Sequence, residues 1–471
     1  MWVLLQACQP GDGRTFTVLL PKPGPPLLLD QSERGYVSAM TQQKQLQREL
    51  GVFGATMMGL GSIVGAGVFV SIGIAAGIAG PAVLIAIAIA AGVATCNGLN
   101  SAQLAANHPV SGGTYEYGYH YLNPRLGFTA GWMFLLAKSA SAATAALGFS
   151  GYLLDALDMS TDLLIPLALA AVVILTGVVI GGIRRSNLVN TAIVSVTVFA
   201  LAFFVISGLG SNVGTDRDNL DPFFIDGNFG EVMQSVLHAS ALMFVAYTGY
   251  GRIATLGEEV REPRVTIPRA IITTLVFTMI LYITVGFVSI WAVGPTILSL
   301  AAEGDAAPLE IAARSFDVGI APIIVAIGAI TAMLGVLLNL ILGLSRVLLA
   351  MGRRSDMPGV VARLNEAGTT PYVAVLVMGS FIGCLVLVGN VRATWSFSAF
   401  AVLIYYALTN LSALQIPDEG RLFPRWVAWL GLGACLFLAF WVEVEFWLVG
   451  LALIGVGLIW QEGMRRLMPN T

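Results

Sequence analysis

The chain has 471 residues, 57% of them hydrophobic and only 11% charged, against about 25% charged in soluble domains, which excludes a water-soluble enzyme. A net charge of −3 leaves no basic surface for nucleic acid. The four cysteines, Cys8, Cys96, Cys384 and Cys435, form no C-x-x-C pair, so neither a disulfide frame nor a zinc site is suggested, and no cofactor is implied.

Residues 1–50 are polar and rich in proline and glycine (Pro10, Gly11, Pro21, Pro23, Pro25, Pro26). They lack the basic start and apolar core of a secretory signal. They are expected to form a disordered cytoplasmic arm. Met40, followed by Thr41-Gln42-Gln43-Lys44 and then the first apolar run, is a candidate translation start, so whether residues 1–39 are translated stays open.

From Val52 onward, long apolar runs alternate with short polar joints. They predict spans at about 52–78, 81–106, 127–154, 163–183, 188–208 and 232–256, then at about 268–293, 319–350, 371–388, 394–414, 423–441 and 444–463. The expected architecture is an all-helical membrane protein of twelve transmembrane helices. Residues 51–210 carry spans one to five, 211–420 spans six to ten, and 421–471 two peripheral spans and a short cytoplasmic tail. With the amino terminus inside, the arginines of the joints fall on the cytoplasmic side, except Arg217, Arg314 and Arg392. The opposite joints are acidic, with Asp155, Asp158, Glu303 and Glu443 among them. The positive-inside bias therefore puts both termini in the cytoplasm of a multi-pass protein of the cell membrane.

Two spans contain segments that weaken a helix. In the first, Gly59-Leu60-Gly61-Ser62-Ile63-Val64-Gly65-Ala66-Gly67 gathers glycine near mid-membrane, where each costs about 1 kcal/mol of helix propensity relative to alanine. In the sixth, Phe244-Val245-Ala246-Tyr247-Thr248-Gly249-Tyr250-Gly251 repeats the device. Five spans separate the two, and by the topology above they cross in opposite directions, the pattern of an inverted five-plus-five repeat with discontinuous helices one and six. A simpler reading is that these glycines only let helices pack closely. An unwound turn in lipid leaves N–H and C=O groups at several kcal/mol each unless something satisfies them. Helix-start amides in span one suit a carboxylate, and free carbonyls in span six suit an ammonium. A zwitterion answers both.

These residues resemble the amino acid, polyamine and organocation transporter superfamily, in its bacterial branch related to cationic amino acid transporters, over roughly residues 48–466. The marks are Gly61-Ser62-Ile63-Val64-Gly65-Ala66-Gly67-Val68-Phe69, Pro109-Val110-Ser111-Gly112-Gly113-Thr114-Tyr115, and Gly131-Trp132. Further marks are Glu258-Glu259-Val260 with Pro263, Ile267 and Pro268, Arg346 to Met351 with Pro358, and Tyr406-Ala407-Leu408-Thr409-Asn410. The resemblance implies alternating access and an amino acid held between spans one, three, six, eight and ten. The backbone of Gly65, Ala66 and Gly67 would receive its carboxylate, with Ser62 and Ile63 beside it. Carbonyls near Phe244, Val245 and Tyr247, with Gly249 in the same segment, would receive its amine. Phe244 or Tyr247 would serve as the aromatic gate, or else simply pack.

The sequence departs from that pattern where proton-coupled members carry a lysine in span five. Thr197 stands there instead, and the candidate sodium-facing segment of span eight supplies only Thr331. The one lysine within a span is Lys138 in span three, costly enough in lipid to be a functional candidate. It is either the titrating cation that span five lacks or a side chain that snorkels to the membrane surface. Arg252 would meet a substrate carboxylate or pair with Glu258 or Glu259. Those two glutamates, with Arg346 and Arg353, would latch an inner gate through ion pairs rather than touch substrate.

A channel would need rings of charge, and an intramembrane enzyme would need clustered catalytic groups, whereas His108, His120 and His238 are scattered. No phosphate-binding loop is present for ATP. The expected function is proton-coupled uptake of an amino acid across the bilayer, with exchange, uniport or a non-transporting sensor as alternatives.

Overall fold

The computed structural model describes residues 2–8, 15–21, 50–108, 112–182, 187–211, 217–254, 260–304, 307–366 and 368–467. It divides into two units, Met1–Gln47 and Arg48–Thr471. Within the first, β1 (Trp2–Cys8) pairs antiparallel with β2 (Thr15–Pro21), Leu5 opposite Val18. The described part of the expected arm is thus a hairpin rather than disordered chain. Trp2-Val3-Leu4-Leu5 and Phe16-Thr17-Val18 are runs of the aromatic and β-branched type that favour strands.

The second unit is helical. In order, its helices are α1 (Val52–Ile63), α2 (Ala66–Phe69), α3 (Ser71–Ala79), α4 (Val83–Asn107), α5 (Thr114–Tyr117), α6 (Pro124–Ala156), α7 (Leu164–Ile180) and α8 (Asn187–Gly210). There follow α9 (Phe229–Tyr247), α10 (Gly251–Ala254), α11 (Pro263–Glu303), α12 (Pro308–Arg314), α13 (Ala321–Arg353), α14 (Tyr372–Val386), α15 (Val391–Leu414), α16 (Arg425–Ala439) and α17 (Val444–Leu467).

Among the described residues, nine helical stretches are long and apolar enough to cross a membrane, and α1, α14 and α16 are shorter apolar helices. One of the nine, Ala66–Asn107, counts 42 residues. As a straight rod it would run roughly 60 Å, twice the hydrocarbon thickness. It is not straight, because Gly80 has φ 59° and the following Pro81 starts a fresh turn. A similar stop falls inside α11, where Gly294 (φ 78°) precedes Pro295, so the apolar run ending near 293 ends for a visible reason.

The helix α6 is the axis of the bundle, almost wholly buried and packed along both α13 and α15. Against this group lie α4, α9 and α11, with α9 and α11 each packed on α4 and on α3. The last helix, α17, is mostly exposed. Large apolar side chains such as Phe53, Val173, Leu188, Phe199, Ile206 and Ile459 face outward, a surface that suits lipid rather than water.

Candidate functional site

The first apolar segment is interrupted where its glycines cluster. Helix α1 ends as Val64 N–H donates to Leu60 O at 2.8 Å and Val64 turns extended (φ −79°, ψ 100°). After Gly65 the chain re-enters helix, with Val68 and Phe69 N–H both donating to the Gly65 carbonyl. The amides of Ala66 and Gly67 therefore open a helix with no preceding turn to accept them, a ready anion site. Glycine is required here by proximity. A Cβ on Gly65 would meet Val336 Cγ2 of α13 at 2.7 Å, and one on Gly67 would meet Ala246 Cα of α9 at 2.8 Å.

The second interruption is milder than an open gap. After Tyr247, α9 tightens into a 3₁₀ turn at Thr248–Tyr250 before α10. The Val245 carbonyl accepts both the Thr248 N–H and the Thr248 hydroxyl, the latter at 2.7 Å. Val245, expected to offer a free acceptor, is thus already partnered in this conformation.

The two interruptions touch. Gly249 lies so close to the Ser62 carbonyl that a Cβ would overlap it, and Gly67 sits on Ala246. The Tyr282 hydroxyl of α11 bridges them, donating toward Ile63 O at 3.0 Å and Ala246 O at 3.3 Å. From the other side the Tyr406 hydroxyl of α15 donates to Thr248 O at 3.0 Å, and the Tyr406 ring meets Phe244 edge-on at 5.7 Å. Tyr247 faces away from Tyr406. Its ring packs on Tyr282, and its hydroxyl reaches toward Ile87 O of α4. Ile63, Ala66, Phe244, Val245 and Tyr247 are all buried, while Ser62, whose hydroxyl donates to Met58 O, and Gly249 are partly so.

Lys138 does not snorkel. It is 8% exposed, and its ammonium donates to Thr248 Oγ1 at 2.6 Å, tying α6 to the turn after α9. Thr197 and Thr331 instead bond within their own helices, to Ile193 O at 2.9 Å and Ile327 O at 2.7 Å. Beside them, Asn190 donates to Met57 O at 2.8 Å and Asn339 to Gly61 O at 3.4 Å, holding α1 against α8 and α13. Arg252 is half-buried on α10 and Arg346 is exposed on α13. Glu258 and Glu259 lie outside the described residues.

Sequence reasoning assigned no role to Thr248, Tyr282 or Tyr406. The available signal was modest: hydroxyl-bearing residues inside apolar runs need partners, and a partner in lipid is another helix.

Many long apolar helices with a lipid-suited exterior mark a multi-pass membrane protein. Residues 54–461 match the family described as amino acid permease. The chain belongs to that family. It is 40% identical over 428 residues to an uncharacterized transporter of Mycobacterium tuberculosis, covering 90% of this chain and 93% of the relative. It is 30% identical over 458 residues to the branched-chain amino acid permease of Bacillus subtilis (90% and 95%), and 28% identical over 448 residues to the methylthioribose transporter of the same organism (89% and 94%). A vacuolar cationic amino acid transporter 2 of Arabidopsis thaliana is 26% identical over 433 residues, 82% of this chain and 65% of that protein. The relatives are transporters rather than enzymes, and the chain is a multi-pass membrane protein of the amino acid permease type.

Proposed function

We propose that the chain is a twelve-span secondary transporter, built as an inverted five-plus-five repeat, that carries a neutral amino acid by alternating access with proton-linked uptake. The observation that carries this reading is the meeting of the two interruptions. The Ala66 and Gly67 amides supply positive potential for a carboxylate, and the negative end of the α9 dipole lies beside them for an ammonium. The surroundings, Ile63, Val336, Phe244 and Tyr406, are apolar or aromatic and offer no carboxylate for a cationic side chain. Similarity to the branched-chain amino acid permease supports an aliphatic substrate. Phe244 is the better gate candidate, since it faces Tyr406 across the bundle, whereas Tyr247 is held among α4 and α11.

Lys138 is the coupling candidate that the geometry favours. A charged ammonium makes a charge-assisted bond to Thr248 that a neutral amine makes less well. Loss of its proton would loosen α9 from α6, the kind of bistable contact that alternating access requires. In this reading the amino terminus and the Arg346 end face the cytoplasm, with Arg252, Glu258 and Glu259 at the inner gate.

Uptake of radiolabelled leucine into proteoliposomes tests the reading, with an inward proton gradient, a sodium gradient, or none. Accumulation under the proton gradient alone is expected. Binding without movement would make the chain a sensor, and equal uptake without any gradient would make it an exchanger or uniporter.

A further inference from the structure

Beyond the substrate site, a second group of buried ionisable residues lies where α12 meets the end of α6. Glu310 on α12 is 2% exposed. Its neighbours are Asp155 at the end of α6 and Arg314 one turn along its own helix. Arg314 reaches Asp155 Oδ1 at 2.9 Å and Glu310 Oε1 at 3.6 Å. Two carboxylates and one guanidinium carry a net charge of −1, and the guanidinium is half in solvent. The second carboxyl oxygen, Glu310 Oε2, is buried with no hydrogen-bond partner. Two carboxylates side by side can only accept, so a bond between them requires a proton on one.

The same contact holds the first interrupted segment. Tyr152, one turn before Asp155, donates its hydroxyl to Phe69 O of α2 at 2.7 Å and accepts the Leu309 N–H, the residue before Glu310, at 3.1 Å. Pro308 packs against Gly73 of α3, where a Cβ would stand 3.0 Å from it. Lifting α12 from α6 therefore breaks the Leu309 bond to Tyr152 and the Pro308 contact with Gly73, uncovering the first segment at α3, and it exposes Glu310.

We propose that Glu310 and Asp155 form a proton-binding site that governs closure of the mouth over the first segment. One proton is shared between the two carboxyls while α12 lies on α6, and it is released when the mouth opens. The proton enters and leaves on the same side, so it regulates closure rather than travelling with substrate. The proposal rests on the alternating-access reading above.

Burial first, and then the charge of Asp155, raise the Glu310 carboxyl to about 8, with Arg314 pulling the other way. Exposed in an open mouth, it returns toward the ordinary carboxyl range. Closure is accordingly unopposed in acid and grows less favourable as pH rises toward 8. Of the other charged groups nearby, Glu303, at the end of α11, pairs with Arg392 at 3.0 Å, and Asp317 follows α12, its backbone N–H donating to Ser211. Along α13 no titratable residue precedes Arg346, α3 has none, and Asp305 lies outside the described residues.

The test is infrared difference spectroscopy of the purified full chain in lipid vesicles, titrated from about pH 5 to about pH 10. A protonated-carboxyl band that disappears on alkalinisation in wild type, and is missing in both Glu310→Gln and Asp155→Asn, is expected. Leucine uptake by Glu310→Gln should also lose its dependence on pH on the α12 side. A wild type without such a band, or a band untouched by either substitution, overturns the proposal. The band is read without transport, so a protein that shows it yet moves no amino acid would defeat the transport reading while leaving the proton site standing.

Discussion

Lys138 Nζ donates to Thr248 Oγ1 at 2.6 Å, and the same hydroxyl donates to Val245 O at 2.7 Å. A cation on the central helix α6 is thereby wired to the carbonyl end of α9, at the level where α9 meets the first segment.

Replacing Lys138 by Met keeps the length of the side chain and deletes its charge. Thr248 keeps its own bond to Val245, so the fold should survive, and removing a buried cation need not lower the melting temperature. The lost charge-assisted bond, about 1.5 to 3 kcal/mol, predicts a roughly tenfold or larger drop in gradient-driven uptake. Proteoliposome uptake at several imposed proton gradients checks this. Unchanged gradient dependence in Lys138→Met would remove Lys138 from the coupling role.

Gly67→Val would place a branched side chain against the Ala246 backbone, 2.8 Å from Cα at the first added carbon. Neither segment can yield without separating the interruptions, and overpacking of this kind costs about 1 to 3 kcal/mol. Expected are near-complete loss of uptake and of leucine-induced thermal stabilisation, with circular dichroism unchanged. Gly92→Val is the control, because nothing lies within 4 Å of a Cβ there.

How much of this was readable in advance follows from range. Glycine at Gly65 and Gly67 declares a weak helix locally, so the first interruption shows in the sequence. The second showed only as a place, since whether Thr248-Gly249-Tyr250 opens or tightens into a 3₁₀ turn depends on Tyr406 and Tyr282, more than thirty residues away. The same limit hid the partner of Lys138. Local composition gave two destinations for its ammonium, and only the approach of α9 to α6 selects one. The hairpin at Trp2–Cys8 and Thr15–Pro21 was missed because proline and glycine in the intervening residues outweighed two short strand-like runs.

Tyr282→Phe removes one hydroxyl that serves the Ile63 and Ala246 carbonyls, both at buried interruptions. Leaving buried acceptors short costs about 1 to 3 kcal/mol. The ring remains packed on Tyr247. A melting temperature lowered by a few degrees, with weaker leucine binding, is the expected result in a thermal-shift titration. If stability and affinity are both intact, the bridge between the interruptions is not what holds them.

Glu443, in the joint between α16 and α17, joins His238 at 3.1 Å and Arg392 at 3.2 Å. Burial acts to raise its carboxyl, but the His238 ring 3.1 Å away outweighs it and brings the group down to about 2. A carboxyl lowered on folding stabilises above its ordinary range, and that stabilisation fades as pH falls toward 2. Wild type should therefore lose about 1 to 3 kcal/mol of stability in acid through this joint, since each pKa unit corresponds to about 1.4 kcal/mol before relaxation. Glu443→Gln should be less stable than wild type near neutrality, and the difference should close in acid. Melting curves of both proteins in detergent, taken from neutral pH downward, decide it. Parallel curves at every pH would mean that Glu443 holds α17 by packing and hydrogen bonding alone, without its charge.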